Sequence, residues 1–230
     1  MRIATWNVNS VRQRLEHLLS WLKECSPEIV CLQEIKCVDD AFPRLEIEAL
    51  GYNVVTHGQK TFNGVALLSK LPFEETKSGL AGDDEDAHAR FLEGVVTLKR
   101  GVLRVACLYL PNGNPPNTDK YPYKLKWMSR LQDYARERLK AEEPLVLAGD
   151  FNVIPKSEDV YNPAAWVDDQ DRIGGVADQG LEPGLEGQGR GLGDVVSAGL
   201  RVTTSPSAVS IAARTSASSL TPDAFALSMI

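Results

Sequence analysis

Beyond Asp168 the chain loses the residues from which a core is built, and this break sets the limit on what can fold. Between Asp171 and Ile230 there is no Lys, His, Asn, Tyr, Trp or Cys, and Phe225 is the only aromatic residue. Gly, Ala and Ser fill 25 of those 60 positions. The run Glu182-Pro183-Gly184-Leu185-Glu186-Gly187-Gln188-Gly189-Arg190-Gly191 has neither a helical nor a strand period. Such a segment buries too little apolar surface to offset the entropy lost on ordering it. Residues 169–230 are therefore expected to be an atypical tail, disordered or read out of frame. The second idea rests on the loss of Lys, Asn and Tyr, which have AT-rich codons, and on the excess of Gly, Ala, Ser and Arg. Arg201–Thr204 and Ala208–Ala212 are the only weak strand signals in it. What folds must come from residues 1 to about 168, a length that suits one domain.

Within that part, short apolar runs alternate with three helical patterns. Arg2–Asn7, Glu28–Leu32, Tyr52–Thr56, Gly64–Ser69 and Pro144–Gly149 read as strands. Phe91–Leu98 and Val102–Leu110 are strand-rich and flank the turn Lys99-Arg100-Gly101, which predicts a hairpin. Ser10 can cap a helix that places Val11, Leu15, Leu18, Leu19 and Leu22 on one face. Phe42–Leu50 reads as a second helix stopped by Gly51, and Lys120–Lys140 as a long helix with basic residues on a solvated face. Pro111–Thr118, rich in Pro, Asn and Gly, must be a loop. Strands mixed with helices and a hairpin predict a layered α/β fold with antiparallel pairing.

Three of the strands end in polar oxygens. Asn7 and Asn9 follow the first, Glu34 follows Cys31-Leu32-Gln33, and Asp150 and Asn152 follow Ala148-Gly149. Side chains at the carboxyl ends of neighbouring strands converge on one crevice. Taken singly, each has a plainer explanation: Glu34 as a solvated loop residue, Gly149-Asp150-Phe151-Asn152 as a turn in which Asp and Asn bond their own backbone. Together they suggest a hard-oxygen site suited to Mg²⁺ or Mn²⁺ rather than zinc, and Mg²⁺ favours phosphate-ester chemistry. The net charge of −6 argues mildly against a general polyanion binder, so any nucleic-acid contact must be local and metal-assisted. The cysteines Cys25, Cys31, Cys37 and Cys107 form no C-x-x-C pair, which predicts reduced thiols. With no visible signal peptide and no run of about 20 apolar residues, a cytoplasmic protein without a membrane partner is expected.

The motifs also resemble a family. Trp6-Asn7-Val8-Asn9-Ser10-Val11-Arg12 and Pro27-Glu28-Ile29-Val30-Cys31-Leu32-Gln33-Glu34-Ile35-Lys36 are similar to the first two motifs of the exodeoxyribonuclease III and abasic-site endonuclease branch of the endonuclease/exonuclease/phosphatase family. Asn63–Ser69, Ala89-Arg90-Phe91, Leu108–Gly113 and Gly149–Val153 follow in the family's order. The resemblance implies a nuclease-like domain over residues 1–168 with a two-sheet αββα sandwich of the DNase I-like type, its second sheet incomplete. It implies a monomeric Mg²⁺-dependent (or Mn²⁺-dependent) DNA repair nuclease that removes nucleotides from duplex 3′ ends and cuts abasic-site DNA. By the same resemblance, Asn7, Glu34, Asp150 and Asn152 would serve the metal, with Glu34 as principal ligand. Asp150 would orient or deprotonate the attacking water, Asn152 would hold the scissile phosphate, and Tyr109 would stand beside it. Arg90, Asn112 and Lys120 match positions that contact the DNA backbone.

The chain departs from the family after residue 168. The family's Asn-x-x-x-Arg-[Ile/Leu]-Asp-[His/Tyr] stretch and its final Ser-Asp-His are absent. The three histidines, His17, His57 and His88, all precede Asp150. His17 and His57 are expected at the surface, and His88 in a mobile loop beside Asp83–Asp86. Asp168, Asp169 and Asp171 are poor substitutes for the missing Asp. The alternative to an active nuclease is an inactive, truncated or frameshifted family member.

Overall fold

The structure is a computed structural model that describes residues 1–115, 117–153 and 226–228. Its strands form two sheets. The first contains β1 (Arg2–Asn7), β2 (Ile29–Gln33), β3 (Asn53–His57), β4 (Val65–Ser69) and β9 (Ala226–Ser228), in the order β3-β4-β2-β1-β9. The second contains β5 (Phe73–Ser78), β6 (Phe91–Thr97), β7 (Val102–Tyr109) and β8 (Leu145–Asp150), in the order β5-β6-β7-β8. Three α-helices, α1 (Leu15–Cys25), α2 (Arg44–Glu48) and α3 (Lys120–Lys140), and a 3-10 turn at Asp39–Ala41 complete the described part.

Alternation along the strands assigns each side chain to a layer. On β2, Ile29 and Cys31 face the second sheet, where they pack with Leu92, Val105, Cys107 and Val146. Val30 and Leu32 face the other way, against Leu18, Trp21 and Leu22 of α1 and Ile47 of α2. The outer face of the second sheet, with Phe91, Ala106, Leu108 and Leu147, is covered by Trp127, Leu131 and Tyr134 of α3. The layers are thus helix, sheet, sheet, helix, as the α/β reading expects. A strand buried on both faces reads as an unbroken apolar run, which is why β2, β4 and β8 are conspicuous in the sequence. Each large apolar side chain buried this way contributes about 1.5–3 kcal/mol.

Two pairings fix the site. β1 runs parallel to β2, setting Asn7 opposite Gln33, and β7 runs parallel to β8, setting Tyr109 opposite Asp150. The carboxyl ends of four strands from two sheets therefore open at one end of the sandwich.

Several local expectations are corrected. The first helix starts at Leu15, and Ser10 makes no cap. The backbone N–H groups of Val8, Ser10 and Val11 donate instead to the carbonyls of Gln33, Glu34 and Ile35, at 3.0, 2.7 and 3.2 Å. This ladder carries the chain past β1 alongside the segment after β2, with Asn9 and Ser10 in the left-handed region at φ of 42° and 83°. The second helix covers only Arg44–Glu48, behind Pro43. β5 has no apolar signal because Glu74–Ser78 are exposed; charges on such an edge strand discourage pairing with other chains. The face of α3 is not uniformly solvated, since Lys124 and Arg130 are buried. The loop carrying His88 is tied down by Arg130, whose Nη1 bonds Asp86 at 2.7 Å and whose Nε bonds the Ala81 carbonyl at 2.9 Å. His57 is half-buried, with Nδ1 3.2 Å from the Phe91 carbonyl. Within the tail expected to be disordered, Ala226–Ser228 pairs antiparallel with β1, Leu227 opposite Ile3. The expectations for 201–204, 208–212, Asp168, Asp169 and Asp171 lie outside the described residues.

Candidate active site

Glu34 leaves β2 in the left-handed region at φ 52°, and so does Lys36. Asn63 on the facing loop, and Asn152 beyond β8, share this conformation at 53° and 44°. Asn tolerates it; Glu and Lys do so at a cost of about 1–3 kcal/mol each unless their surroundings over-determine the backbone. Here they do. Besides the ladder from Ser10 and Val11, the N–H groups of Ile35 and Lys36 donate to the carbonyls of Gly64 and Asn63 at 3.1 and 3.0 Å. Strain concentrated at one sheet end marks that end as a candidate site.

The side chains meet there. The Asn7 Nδ2 donates both to Glu34 Oε1 at 2.8 Å and to Asp150 Oδ2 at 2.9 Å, joining residues from two sheets. The Tyr109 hydroxyl donates to the same Glu34 Oε1 at 2.9 Å. The Lys36 ammonium lies 2.8 Å from Glu34 Oε2 and also donates to Asn9 Oδ1. Burial raises the proton affinity of the Glu34 carboxyl, but the bonds donated by Lys36, Asn7 and Tyr109 outweigh it and hold the group below its usual range. Burial, then the Glu34 charge, pushes the Tyr109 phenol well above its usual range, so it remains a neutral donor. Beneath this layer, Thr5 Oγ1 donates to Gln33 Oε1 at 3.2 Å, and Gln33 Nε2 reaches Cys107 Sγ at 3.3 Å, linking the sheets.

Asp150 is buried at the end of β8, its Oδ1 accepting the Asn152 N–H at 3.0 Å. The Asn152 amide donates to the Leu110 carbonyl at 2.7 Å. Arg90 lies over the Tyr109 ring, 4.8 Å from its centroid, and donates to the Tyr109 carbonyl at 3.2 Å. Its Nε is buried without a partner among the described residues. Asn112 is exposed on the loop before α3, its Oδ1 accepting the Asn114 N–H at 3.1 Å; Lys120 is exposed in the first turn of α3. So Asn7, Glu34, Tyr109 and Asp150 form one hydrogen-bonded set, Asn152 and Arg90 join it through Asp150 and Tyr109, and Asn112 and Lys120 stand at its rim.

Two residues of this site were not singled out from the sequence. The ammonium of Lys124, a fully buried residue, donates to the carbonyls of Asn152 at 2.7 Å and Asn112 at 3.4 Å. Its signal was its place on the stripe of Trp127 and Leu131, three and seven residues on, where an apolar residue would be expected. Lys36, two residues after Glu34, could have been found as the cation a buried carboxylate requires.

Among the described residues no three Asp, Glu, His or Cys side chains gather as a metal cluster. Two carboxylates with flanking amide oxygens nevertheless suit a hard cation such as Mg²⁺, which keeps several waters and takes one or two protein carboxylates. The donor set therefore fits that ion.

Residues 4–206 match the endonuclease/exonuclease/phosphatase family. The chain is 35% identical to exodeoxyribonuclease III of Haemophilus influenzae over 161 residues, 70% of this chain and 60% of that protein. An AP endonuclease structure from Archaeoglobus fulgidus superposes with a TM-score of 0.69 at 35% identity, covering 75% of this chain and 65% of that one. A Neisseria 3′ phosphatase solved with a product DNA hairpin gives a TM-score of 0.70 at 34% identity, covering 75% and 65%. The chain spans about 60% of the length of the Haemophilus relative. With the layered sheets and the strand-end site in place, the chain belongs to the endonuclease/exonuclease/phosphatase family.

Proposed function

We propose that this chain is a Mg²⁺- or Mn²⁺-dependent DNA repair nuclease, hydrolysing phosphodiesters at duplex 3′ ends and at abasic sites. The observation that carries the reading is the Asn7 amide bridging Glu34 and Asp150, which brings carboxylates from two sheets to one point. Glu34, Asn7, Asp150 and Asn152 would hold the metal, which when bound supplies charge neutralisation at phosphate oxygens and a more acidic water. Glu34 stays ionised because three donors converge on it. Asp150, fixed by the Asn152 N–H, offers a carboxylate that can orient a water and take its proton. Asn152 would steady the scissile phosphate as charge builds on it. Tyr109 keeps its proton and holds Glu34 in place. Arg90, Asn112 and Lys120 would follow the duplex backbone, a local cationic path on a chain of net charge −6. The four free cysteines suit a reducing cytoplasm, no helix among the described residues is long and apolar enough to cross a membrane, and the protein would act as a monomer on double-stranded, abasic-site DNA.

One observation favours a second reading, an inactive family member: among the described residues, neither His57 nor His88 bonds to the set of Asn7, Glu34, Tyr109 and Asp150, their ring nitrogens lying instead by the Phe91 carbonyl and by Asp86 and Tyr123. Incubating the protein with a duplex oligonucleotide carrying one abasic site separates the two. Cleavage with Mg²⁺ that is lost in EDTA and in Asp150→Ala supports the nuclease. Intact DNA in the presence of soluble, cooperatively melting protein supports the inactive member.

A further inference from the structure

His88, two residues before Arg90, takes part in none of the chemistry above. Its Nδ1 lies 3.2 Å from Asp86 Oδ1 and 3.0 Å from the Tyr123 hydroxyl. Its ring meets the Tyr123 ring edge-on at 5.3 Å. Asp86 is itself held: Arg130 bonds Oδ2 at 2.7 Å, and the Tyr123 hydroxyl donates to Oδ1 at 2.9 Å. With its proton given to Asp86, Tyr123 can only accept from His88, so Nδ1 must carry a hydrogen and Nε2 is the free end. No described residue bonds Nε2, and the imidazole side chain is 49% exposed. This arrangement orients a ring without burying it.

Cationic residues stand close to His88 along the chain and along α3. Arg90, two residues on, donates its N–H to the His88 carbonyl at 2.9 Å and lies over Tyr109. Tyr123 precedes Lys124, whose ammonium supports the Asn112 and Asn152 carbonyls, and follows Lys120 by one turn of α3. His88 is thus joined both to Arg90, through the backbone, and to the first turns of α3 that carry Lys120, through Tyr123. A histidine needed only to fasten the loop would be redundant, because Arg130 already bonds the Leu80 and Ala81 carbonyls as well as Asp86.

We propose that His88, oriented by Asp86 and Tyr123, is a phosphate-binding residue that in its imidazolium form contacts a backbone phosphodiester flanking the one at the candidate active site. The proposal rests on the nuclease reading. The ion-bearing groups around His88 are Asp83, Asp84, Glu85 and Asp86 of its own loop, Tyr123, Lys126 and Arg130 of α3, and Arg90. Asp83 is paired with Lys126 at 2.7 Å and Asp86 with Arg130. Both carboxyls are held below their usual range, Asp83 chiefly by Lys126 and Asp86, against its burial, by Arg130 and Tyr123; burial lifts the Tyr123 phenol above its usual range. None of these three changes charge between pH 5.5 and 8.

The test measures binding of a fluorescein-labelled abasic duplex by anisotropy in EDTA at pH 5.5 and pH 8, for the wild type, His88→Gln and His88→Lys. The wild type should tighten roughly 5- to 10-fold more than His88→Gln on going to pH 5.5. Its salt dependence at pH 5.5 should be steeper by about one counterion. His88→Lys should bind with the low-pH affinity at both pH values. A His88→Gln variant that keeps the full increment and slope overturns the proposal, as does His88→Lys behaving like Gln. If His88→Gln keeps the increment while Mg²⁺-dependent cleavage is intact, only this inference fails; if no variant binds DNA at either pH, the nuclease reading fails with it.

Discussion

Replacing Gly149 by Ala should separate the strands on which the site is built. A Cβ at this position would lie 1.9 Å from the Leu108 carbonyl oxygen and 2.8 and 2.9 Å from that residue's C and N atoms. Leu108 is the residue paired with Gly149 across the parallel β7–β8 ladder, so the obstruction is backbone and cannot rotate away. Ordinary contact begins near 3.4 Å, which leaves a shortfall of about 1.5 Å. Opening β7 from β8 by that amount stretches the neighbouring hydrogen bonds, such as Leu110 N–H to the Asp150 carbonyl at 2.9 Å, beyond useful length. Overpacking costs about 1–3 kcal/mol, and two weakened ladder bonds add about 1 kcal/mol each. The expected loss is about 3–5 kcal/mol, a fall in Tm of roughly 10 °C for a domain of this size. Thermal denaturation followed by circular dichroism measures it. Since the same step moves Asp150 away from Asn7 and Tyr109, any nuclease activity should vanish even where the variant is folded. A variant melting within about 2 °C of the wild type would show that the sheets at this end can part freely, and the site geometry argued from them would be wrong.

Three further outcomes follow from single interactions. Arg130→Met leaves the Asp86 carboxylate, 4% exposed, without its cation, so urea denaturation should show a loss of about 3–5 kcal/mol, and Arg130→Met with Asp86→Asn should lose less than Arg130→Met alone. Asp86 and Glu34 both have carboxyls held below their ordinary values of 3.8 and 4.5; the folded state then binds fewer protons than the unfolded state, so their stabilisation is complete above those values and disappears as pH falls below them. Asp86→Asn should flatten the acid limb of a stability–pH curve, and an unchanged limb would rule Asp86 out as its source. Tyr109→Phe removes the hydroxyl from Glu34 Oε1 and should raise the Mg²⁺ concentration needed for half-maximal cleavage roughly 10-fold or more, read from a metal titration; an unaltered midpoint would mean that the phenol does not tune this carboxylate.

How much of this was legible depends on the distance over which each residue finds its partners. Asn7, Glu34 and Asp150 stand next to apolar runs, and a strand buried on both faces followed by a polar oxygen is a local pattern. That Asn7 would bridge the other two is not local, because it needs the pairing of β1 with β2 and the packing of one sheet on the other. The start of α1 is non-local for the same reason: Ser10 has the chemistry of a cap, but its backbone is held by the Glu34 carbonyl, 24 residues on. Lys124 and Arg130 show the effect most plainly. Lys124 shares the stripe of Trp127 and Leu131, but its acceptor on Asn152 is 28 residues away, and those of Arg130, in the loop at Leu80–Asp86, are some 44 to 50 residues back. A helix pattern reveals which face is apolar; it does not reveal that a cation on that face has found carbonyls and a carboxylate to satisfy it. Since a buried charge without partners is far less stable than one with them, a lysine or arginine on an apolar stripe is itself a reason to look for distant acceptors. For Lys124 that rule points to the loops that carry Asn112 and Asn152.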